Sequence, residues 1–340
     1  MSDLMPYSQL NEAERGLQHS LRNTCIFNGL LIAITVAAAY VPMRELPDRR
    51  PMPAVRIPLT YLPVHLAPVA GPFRLVGAWR LRANDRRFGG LSSLAIDRGR
   101  FIAVSDLGAA MSFDLPGKAQ PLADIRDLRE GPGPWGKKWS RDAESLAPDP
   151  KGRGWWVGYE QRHSLWLYDR DLRRALEGIS LNRGDWWDNR GAEALIADGD
   201  DLLVLAENGR DAMRVRPSGA SRLSLNAGAD VAEAARAPDG GIWLLLRSRG
   251  VTGISQQLAP LIRTGTGLGV GQGLPVPKGA LDNFEGMAIA PLSDGRWRFW
   301  LVSDDGHRLM ARTLLVALDY VPPARHDKSP ATGTGLSKLP

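Results

Sequence analysis

The chain has 340 residues, with 43 Lys and Arg against 37 Asp and Glu, and a single cysteine. One cysteine excludes a disulfide framework and a cysteine-based metal site. The net charge of +6 is spread over scattered arginines, so a nucleic-acid partner is not expected. Glycine (37) and proline (25) are frequent but follow no collagen-like period, which indicates turns between many short strands.

The N-terminal part contains a long uncharged apolar run, from Cys25 to Val41. The run has no polar face, so a buried amphipathic helix is excluded. It predicts a hydrophobic helix within residues 1–41 that is either a cleaved signal peptide or a retained membrane anchor. The protein is therefore expected in the periplasm, at the membrane or outside the cell. Residues 42–72 are rich in proline and predict an extended tether.

Strand-forming residues dominate from residue 73 onward. The first β-like run is 73–83 and the last is 311–320, and one short helix is predicted at 171–179. We therefore place the folded domain at 73–320. The tail, 321–340, is rich in Pro, Ser, Thr and Gly, a composition that predicts disorder.

Five segments of the domain repeat one pattern. A polar residue precedes a short apolar run, a turn follows, and a second apolar run ends on a charged residue. The polar residues, called start positions here, are Ser92, Glu144, Glu193, Glu233 and Glu285. The charged residues, called end positions, are Asp106, Glu160, Glu207, Arg247 and Asp304. Strand repeats of about 40–50 residues are typical of propeller blades. The sequence predicts an all-β fold, a β-propeller of five or six blades.

Equivalent positions of successive blades lie on a ring around the central channel. Glu144, Glu193 and Glu285 would then face one another, and like charges so close favour a shared cation. Carboxylate oxygens suit Ca²⁺, with Mg²⁺ or Mn²⁺ as alternatives. These three glutamates are the predicted metal ligands. Glu233 is left out because its unit is degenerate and ends on Arg247.

The acidic end positions supply candidate catalytic groups. Asp106, Glu207 and Asp304 would orient ligands or water, together with His307, which follows Asp304 by three residues. Glycines close behind these acids leave a second interpretation open, in which they are hairpin acids bonded to backbone amides. Basic residues that precede the start positions would bind an anionic substrate, namely Lys138, Arg141 and Arg190.

Several stretches of the repeats resemble the bacterial phytase-like family, described as "esterase-like activity of phytase". They are "FGGLSSLAID", "FIAVSD", "DAESLA", "NRGAEAL", "LLVLAENG" and "DNFEGMAIA…LVSDDG". The resemblance covers about 73–320 and includes the repeated acids. It implies a propeller fold and a phosphoesterase-type activity. Arg247 departs from the acidic pattern in the fourth unit.

The sequence therefore favours an exported or membrane-tethered hydrolase that acts on a small anionic phosphate ester with a metal. Its membrane contact would be the N-terminal segment, if uncleaved. Two alternatives remain open: a non-catalytic envelope propeller that binds a ligand or protein and uses its acids for a structural Ca²⁺, and a lactonase-like propeller enzyme. No dinucleotide, Walker A or nucleophile-elbow motif is present.

Overall fold

The structure is a computed structural model. It describes residues 51–68, 71–134, 138–181, 191–250, 253–265, 267–279, 282–308 and 310–322. The hydrophobic helix predicted within 1–41 and most of the predicted tail lie outside these residues. Within the described ranges, no helix is both long and apolar enough to span a bilayer.

The described chain is almost entirely β-structure. The strands, in chain order, are β1 Val55–Pro63, β2 Phe73–Ala83, β3 Leu91–Asp97, β4 Arg100–Ser105, β5 Ala109–Asp114, β6 Leu122–Asp127, β7 Ala143–Pro148, β8 Gly154–Tyr159, β9 Ser164–Asp169, β10 Ala175–Ser180, β11 Ala192–Asp198, β12 Asp201–Ala206, β13 Asp211–Arg216, β14 Gly219–Asn226, β15 Asp230–Arg236, β16 Ile242–Gly250, β17 Gly253–Thr264, β18 Gly267–Val270, β19 Leu274–Pro275, β20 Asn283–Pro291, β21 Trp297–Asp304 and β22 Leu314–Tyr320. One four-residue helix, α1 (Lys138–Arg141), is described.

The strands form five antiparallel meanders, the blades of a propeller. Blade 1 is β3–β6, blade 2 is β7–β10, blade 3 is β11–β14, blade 4 starts with β15–β17, and blade 5 is β20–β22 with β2. The inner strands contact each other in the closed order β3, β7, β11, β15, β20 and back to β3. The predicted all-β propeller is thus confirmed, with five blades.

The ring is closed by the N-terminal part of the fold. β2 adds to the C-terminal strand β22, with Phe73 opposite Tyr320, and so completes blade 5 from both ends of the domain. β1 then bridges β2 of blade 5 and β6 of blade 1. Closure by hydrogen bonds between the first and last strands removes two free sheet edges.

Two local predictions were wrong. Residues 55–63, assigned to the tether, form β1, and Leu59 on this strand is buried against blade 1. The apolar alternation of this strand was hidden by its prolines. Pro58 is tolerated because it lies where the strand passes from pairing with β6 to pairing with β2. The helix predicted at 171–179 is instead a turn followed by β10, whose mostly exposed residues carry little apolar periodicity.

Five hydrophobic clusters are found in the described residues, one between each pair of adjacent blades. The second strands of the blades are buried along nearly their whole length, because both of their faces are covered by neighbouring blades. This explains their continuous apolar sequences. Tryptophans fill the space between blades. Trp300, for example, packs edge-on against Phe101 across the contact of blades 5 and 1.

Candidate functional site

Each inner strand carries a β-bulge near its first residue. The pairing of inner and second strands skips one residue in every blade: Ser92, Glu144, Glu193, Ala232 and Glu285. A bulge leaves one residue outside the ladder and re-aims its side chain. Four of these residues are the predicted start positions. In blade 4 the bulge falls on Ala232, so the alignment of Glu233 was one residue too late.

The end positions lie at the same end of the channel. Each end position directly follows the second-strand residue that pairs with the inner-strand residue just before the bulge. The five end positions are Asp106, Glu160, Glu207, Arg247 and Asp304. With Ala232 as the start position of blade 4, seven of the ten start and end positions carry a carboxylate and one carries an arginine. We call the ten positions the acidic end of the channel.

Arg247 is the centre of the acidic end. Its side chain is only 2% exposed, and it bonds carboxylates from blades 3 and 5. Nη1 donates to Glu285 Oε1 at 2.6 Å, while Nη2 donates to Glu207 Oε1 at 2.8 Å and to Glu193 Oε1 at 3.2 Å. Asn283 also donates to Glu285 Oε1, at 2.7 Å. Two of the three predicted metal ligands therefore share a guanidinium.

The third predicted ligand, Glu144, lies in a separate carboxylate group. Its oxygens, with those of Asp142 and Glu160, lie within 4.8 Å of one another. Asp142 is buried, and its carbonyl accepts a hydrogen bond from the Glu160 amide at 3.1 Å. We call these three residues the carboxylate triad. Three oxygen donors at this separation suit a hard divalent cation such as Ca²⁺.

Charge repulsion links the triad to the rest of the acidic end. Burial raises the pKa of Glu144 well above its ordinary value, and Asp142, Glu193 and Glu285 raise it further. Burial likewise raises the pKa of Glu193, although Arg247 opposes that shift. Both glutamates therefore hold protons more tightly than free carboxyls do, and a cation at the triad would displace the proton of Glu144.

Asp106, Asp304 and His307 form the blade 5 to blade 1 side of the site. His307 Nε2 lies 3.5 Å from Asp106 Oδ1. Burial raises the pKa of Asp304 well above its usual range, and Glu285 and Asp106 add to the shift. A Cβ on Gly90 would lie 2.2 Å from Asp106 Oδ1, so only glycine fits beside this pair. Three predicted catalytic residues are therefore brought together, and Glu207 lies on the Arg247 side.

The structure describes the side chain of only one of the three residues predicted to bind the substrate. Arg190 lies outside the described residues, as does the side chain of Lys138. Arg141 is buried, and its guanidinium bonds the carbonyl of Gly133 at 3.2 Å and those of Leu128 and Arg129 at 3.4 Å. It therefore holds the backbone of the loop before α1, which corrects its predicted role in substrate binding.

Glu233 is buried on the other side of its strand. It accepts a hydrogen bond from Ser93 Oγ of blade 1, and burial raises its pKa well above the ordinary value. It therefore has no place among the acids of the channel end, in agreement with its exclusion from the metal ligands.

Sequence reasoning missed the roles of Arg247 and Asp142. Arg247 was counted as a departure from an acidic pattern, although a lone cation aligned with acids is the signal for charge compensation at a shared centre. Asp142 is two residues before Glu144, and this spacing was not used.

With this geometry in view, the sequence matches the family profile "Phytase-like: Esterase-like activity of phytase" over residues 86–307. The match covers more than half of the chain and contains all ten start and end positions. The chain belongs to the phytase-like family. No curated protein sequence matches it.

Solved structures give weaker similarities. YCF48 bound to a D1 peptide shares 14% identity at a TM-score of 0.37, over 70% of this chain and 66% of that one. The WD40 domain of Neurospora crassa Pan2 shares 9% at a TM-score of 0.36, over 71% and 92%. Hydrazine synthase of Kuenenia stuttgartiensis shares 14% at a TM-score of 0.35, over 63% and 56%, so this chain spans little more than half its length. The strand order alone assigns the fold.

Proposed function

We propose that the protein is a metal-dependent hydrolase of a small phosphate ester, with its centre at the acidic end of the channel. The observation that carries the proposal is the carboxylate triad, in a chain that belongs to the phytase-like family. The ring positions there hold seven carboxylates and a single arginine, which leaves an excess of negative charge.

The triad fits the expected cation by its chemistry. Asp142, Glu144 and Glu160 supply oxygen donors only, and burial, followed by the charges of the neighbouring acids, raises the pKa of Glu144. Ca²⁺ is the preferred ion, with Mg²⁺ or Mn²⁺ as alternatives. When bound, such a cation polarises a phosphoryl oxygen and lowers the pKa of a water ligand.

Arg247 has a positioning role in this proposal. It bonds Glu193, Glu207 and Glu285 together and compensates part of their charge, so these side chains are held in place without an ion. The cation site is thereby confined to the triad on the other side of the channel. This revises the metal assignment made from sequence: Glu144 is kept, while Glu193 and Glu285 act through Arg247.

His307 is the proposed proton-transfer group. Asp106 lies 3.5 Å from its Nε2 and can orient the ring and stabilise its protonated form. In this role His307 takes a proton from the attacking water or gives one to the leaving alcohol. Asp304, which keeps its proton to a higher pH than an ordinary carboxyl, can donate a hydrogen bond to a phosphoryl oxygen.

A phosphate-release assay tests the proposal. Wild-type protein should hydrolyse phosphomonoesters in Ca²⁺ and lose this activity in a chelator. Glu144→Gln should lose at least 100-fold in kcat/KM, and Glu233→Gln, a buried glutamate off the acidic end, should lose little. Cation binding without hydrolysis of phosphate or carboxyl esters would leave the non-catalytic propeller. Turnover of carboxyl esters alone would leave the lactonase-like enzyme.

A further inference from the structure

A second charged site lies between blades 1 and 2. It is a cleft of about 330 Å³, and its polar lining consists mainly of arginines: Arg56, Arg98, Arg100, Arg126, Arg170 and Arg173. Three aspartates also line it, Asp97, Asp124 and Asp171, so the lining carries a net charge of +3. The hairpin from Asp97 to Arg100 is at the end of its strands opposite to the acidic end of the channel.

Most of these arginines already have partners. Arg100 Nη1 bonds Asp124 at 2.6 Å, and its Nη2 bonds the carbonyl of Ser112 at 2.9 Å. Arg98 bonds Asp97 at 2.8 Å and reaches Asp171 at 3.5 Å. These contacts hold the walls of the cleft, and in them each of the three aspartates pairs with an arginine.

Arg126 differs from its neighbours. It is half-buried on β6, where its backbone pairs with Ala110, and within the described ranges its side chain makes no hydrogen bond or ion pair. Burial lowers its pKa and the positive charge of Arg173 lowers it further, while the negative charges of Asp171, Asp124 and Asp169 oppose the shift without cancelling it. Arg173 itself lies 3.8 Å from Asp171. The cleft still carries a net positive charge, so a further anion between the two arginines would be stabilised.

The floor of the cleft is apolar and rigid. Ile102, Ala110 and Leu172 are each no more than 5% exposed and belong to the cluster that joins blades 1 and 2. The backbone of Arg126 is therefore held by the propeller sheet and not by a flexible loop. A guanidinium fork suits a phosphate group, which can accept two parallel hydrogen bonds from it.

We propose that this cleft binds a phosphate group through Arg126 and Arg173, independently of the acidic end. The phosphate could belong to a soluble phosphorylated compound or to a lipid headgroup, because the recognition chemistry is the same. The site goes beyond the proposed hydrolase centre, since it needs no cation and shares no residue with it.

Calorimetric titration with inorganic phosphate tests the proposal. It is done in a chelator, so that a cation at the triad cannot bind the anion, and at constant ionic strength set with chloride. Wild-type protein should bind phosphate. Arg126→Gln should weaken binding at least tenfold, and Arg126→Lys should give an intermediate loss because it keeps the charge without the fork. The control is Arg263→Gln, an exposed arginine paired with Asp198.

Arg173→Gln gives a second test that does not disturb the fold, because that side chain is 67% exposed. It should weaken phosphate binding as well. Co-sedimentation with phosphatidic acid vesicles, against phosphatidylcholine vesicles, distinguishes the two sources. Vesicle binding that depends on Arg126 would identify the ligand as a lipid headgroup. Binding of inorganic phosphate without vesicle binding would identify it as a soluble phosphorylated compound. Neither kind of binding, or binding unchanged by Arg126→Gln and Arg173→Gln, would overturn the proposal.

Discussion

Arg247 Nη1 lies 2.6 Å from Glu285 Oε1, although 38 residues separate the two in the sequence. The contact joins blade 4 to blade 5, and Nη2 of the same guanidinium reaches Glu193 and Glu207 of blade 3. One buried cation therefore ties three blades together at the channel. It also explains why the fourth blade lacks an acid at this position.

Removal of this cation should be costly. Arg247→Met leaves three carboxylates facing one another, and the loss of one partner from a buried ion pair typically costs about 3–5 kcal/mol. Urea unfolding at neutral pH measures the change. Arg249→Met is the matched control, because Arg249 also bonds Glu207 but its side chain is 54% exposed. It should cost less than about 1 kcal/mol. Equal losses for the two variants would contradict the central role of Arg247.

Ca²⁺ should partly compensate for that loss. Without Arg247, the carboxylates of Glu193, Glu207 and Glu285 offer oxygen donors to an ion. Thermal melts of Arg247→Met with Ca²⁺ and with chelator should differ more than those of the wild type, because a ligand bound only to the folded state stabilises it. A smaller difference than in the wild type would count against this account.

The pH dependence of stability follows from the raised pKa values. The folded state raises the pKa values of Glu144, Glu193 and Asp304 above those of the unfolded state. At a pH between the two sets of values, the folded chain therefore binds more protons than the unfolded chain. The contribution of these three groups to the free energy of unfolding should therefore increase as pH falls from above their folded-state pKa values toward their unfolded-state pKa values, near 4. In a chelator, Glu144→Gln should flatten this rise in the free energy of unfolding. An unchanged slope would show that Glu144 does not titrate in this window.

At lower pH the opposite effect should appear. The Arg153 side chain and the other hydrogen bonds to Asp149 outweigh its burial and lower its pKa to about 2. The stability that Asp149 contributes is present above its unfolded pKa and is lost as pH falls through the folded one. Asp149→Asn should remove this loss between about pH 4 and 2, as followed by circular dichroism. An acid transition identical to that of the wild type would contradict the assignment.

Closure of the ring gives a test by truncation. Deletion of residues 1–50 should leave cooperative unfolding intact, because β1 and β2 remain. Deletion of residues 1–83 removes both strands, leaves β22 and β6 without their partners, and should abolish cooperativity. Calorimetry compares the two proteins. A cooperative melt of the shorter one near the temperature of the longer one would rule out this mode of closure.

The repeats could be found from the sequence because each blade encodes a local pattern. The apolar second strands and the charged residue behind each of them, such as Asp106 or Asp304, recur at blade spacing whatever the partners are. The bulge could not be placed in blade 4, since Ala232 and Glu233 both fit the pattern and only the strand pairing separates them. β1 was missed because its partners, β2 and β6, are set by closure of the ring and not by local sequence.

The pairing of acids could not be read from the sequence either. The ring suggested that Glu144, Glu193 and Glu285 share one ion, but the distribution of charge depends on side-chain positions around Arg247. The structure separates Glu144, with Asp142 and Glu160, from the two glutamates that bond Arg247.

Export of the protein is a separate proposal that rests on the uncharged run Cys25–Val41. A reporter fused after residue 340 and expressed in bacteria should be active outside the cytoplasm, and deletion of residues 1–41 should keep it inside. Membrane fractions would then distinguish a retained anchor from a cleaved signal. Equal cytoplasmic recovery of both proteins would end the proposal.

The binding of Ca²⁺ at the triad is the central claim, and isothermal titration in buffers of different ionisation enthalpy tests it most directly. Wild-type protein should bind one Ca²⁺ in the triad and release protons on binding, since burial and the neighbouring acids raise the pKa of Glu144 and the ion needs its carboxylate form. Glu144→Gln should weaken the affinity at least tenfold and reduce the proton release, while Glu233→Gln should change neither. Binding of equal strength to the wild type and Glu144→Gln, or no binding to the wild type, would contradict the account.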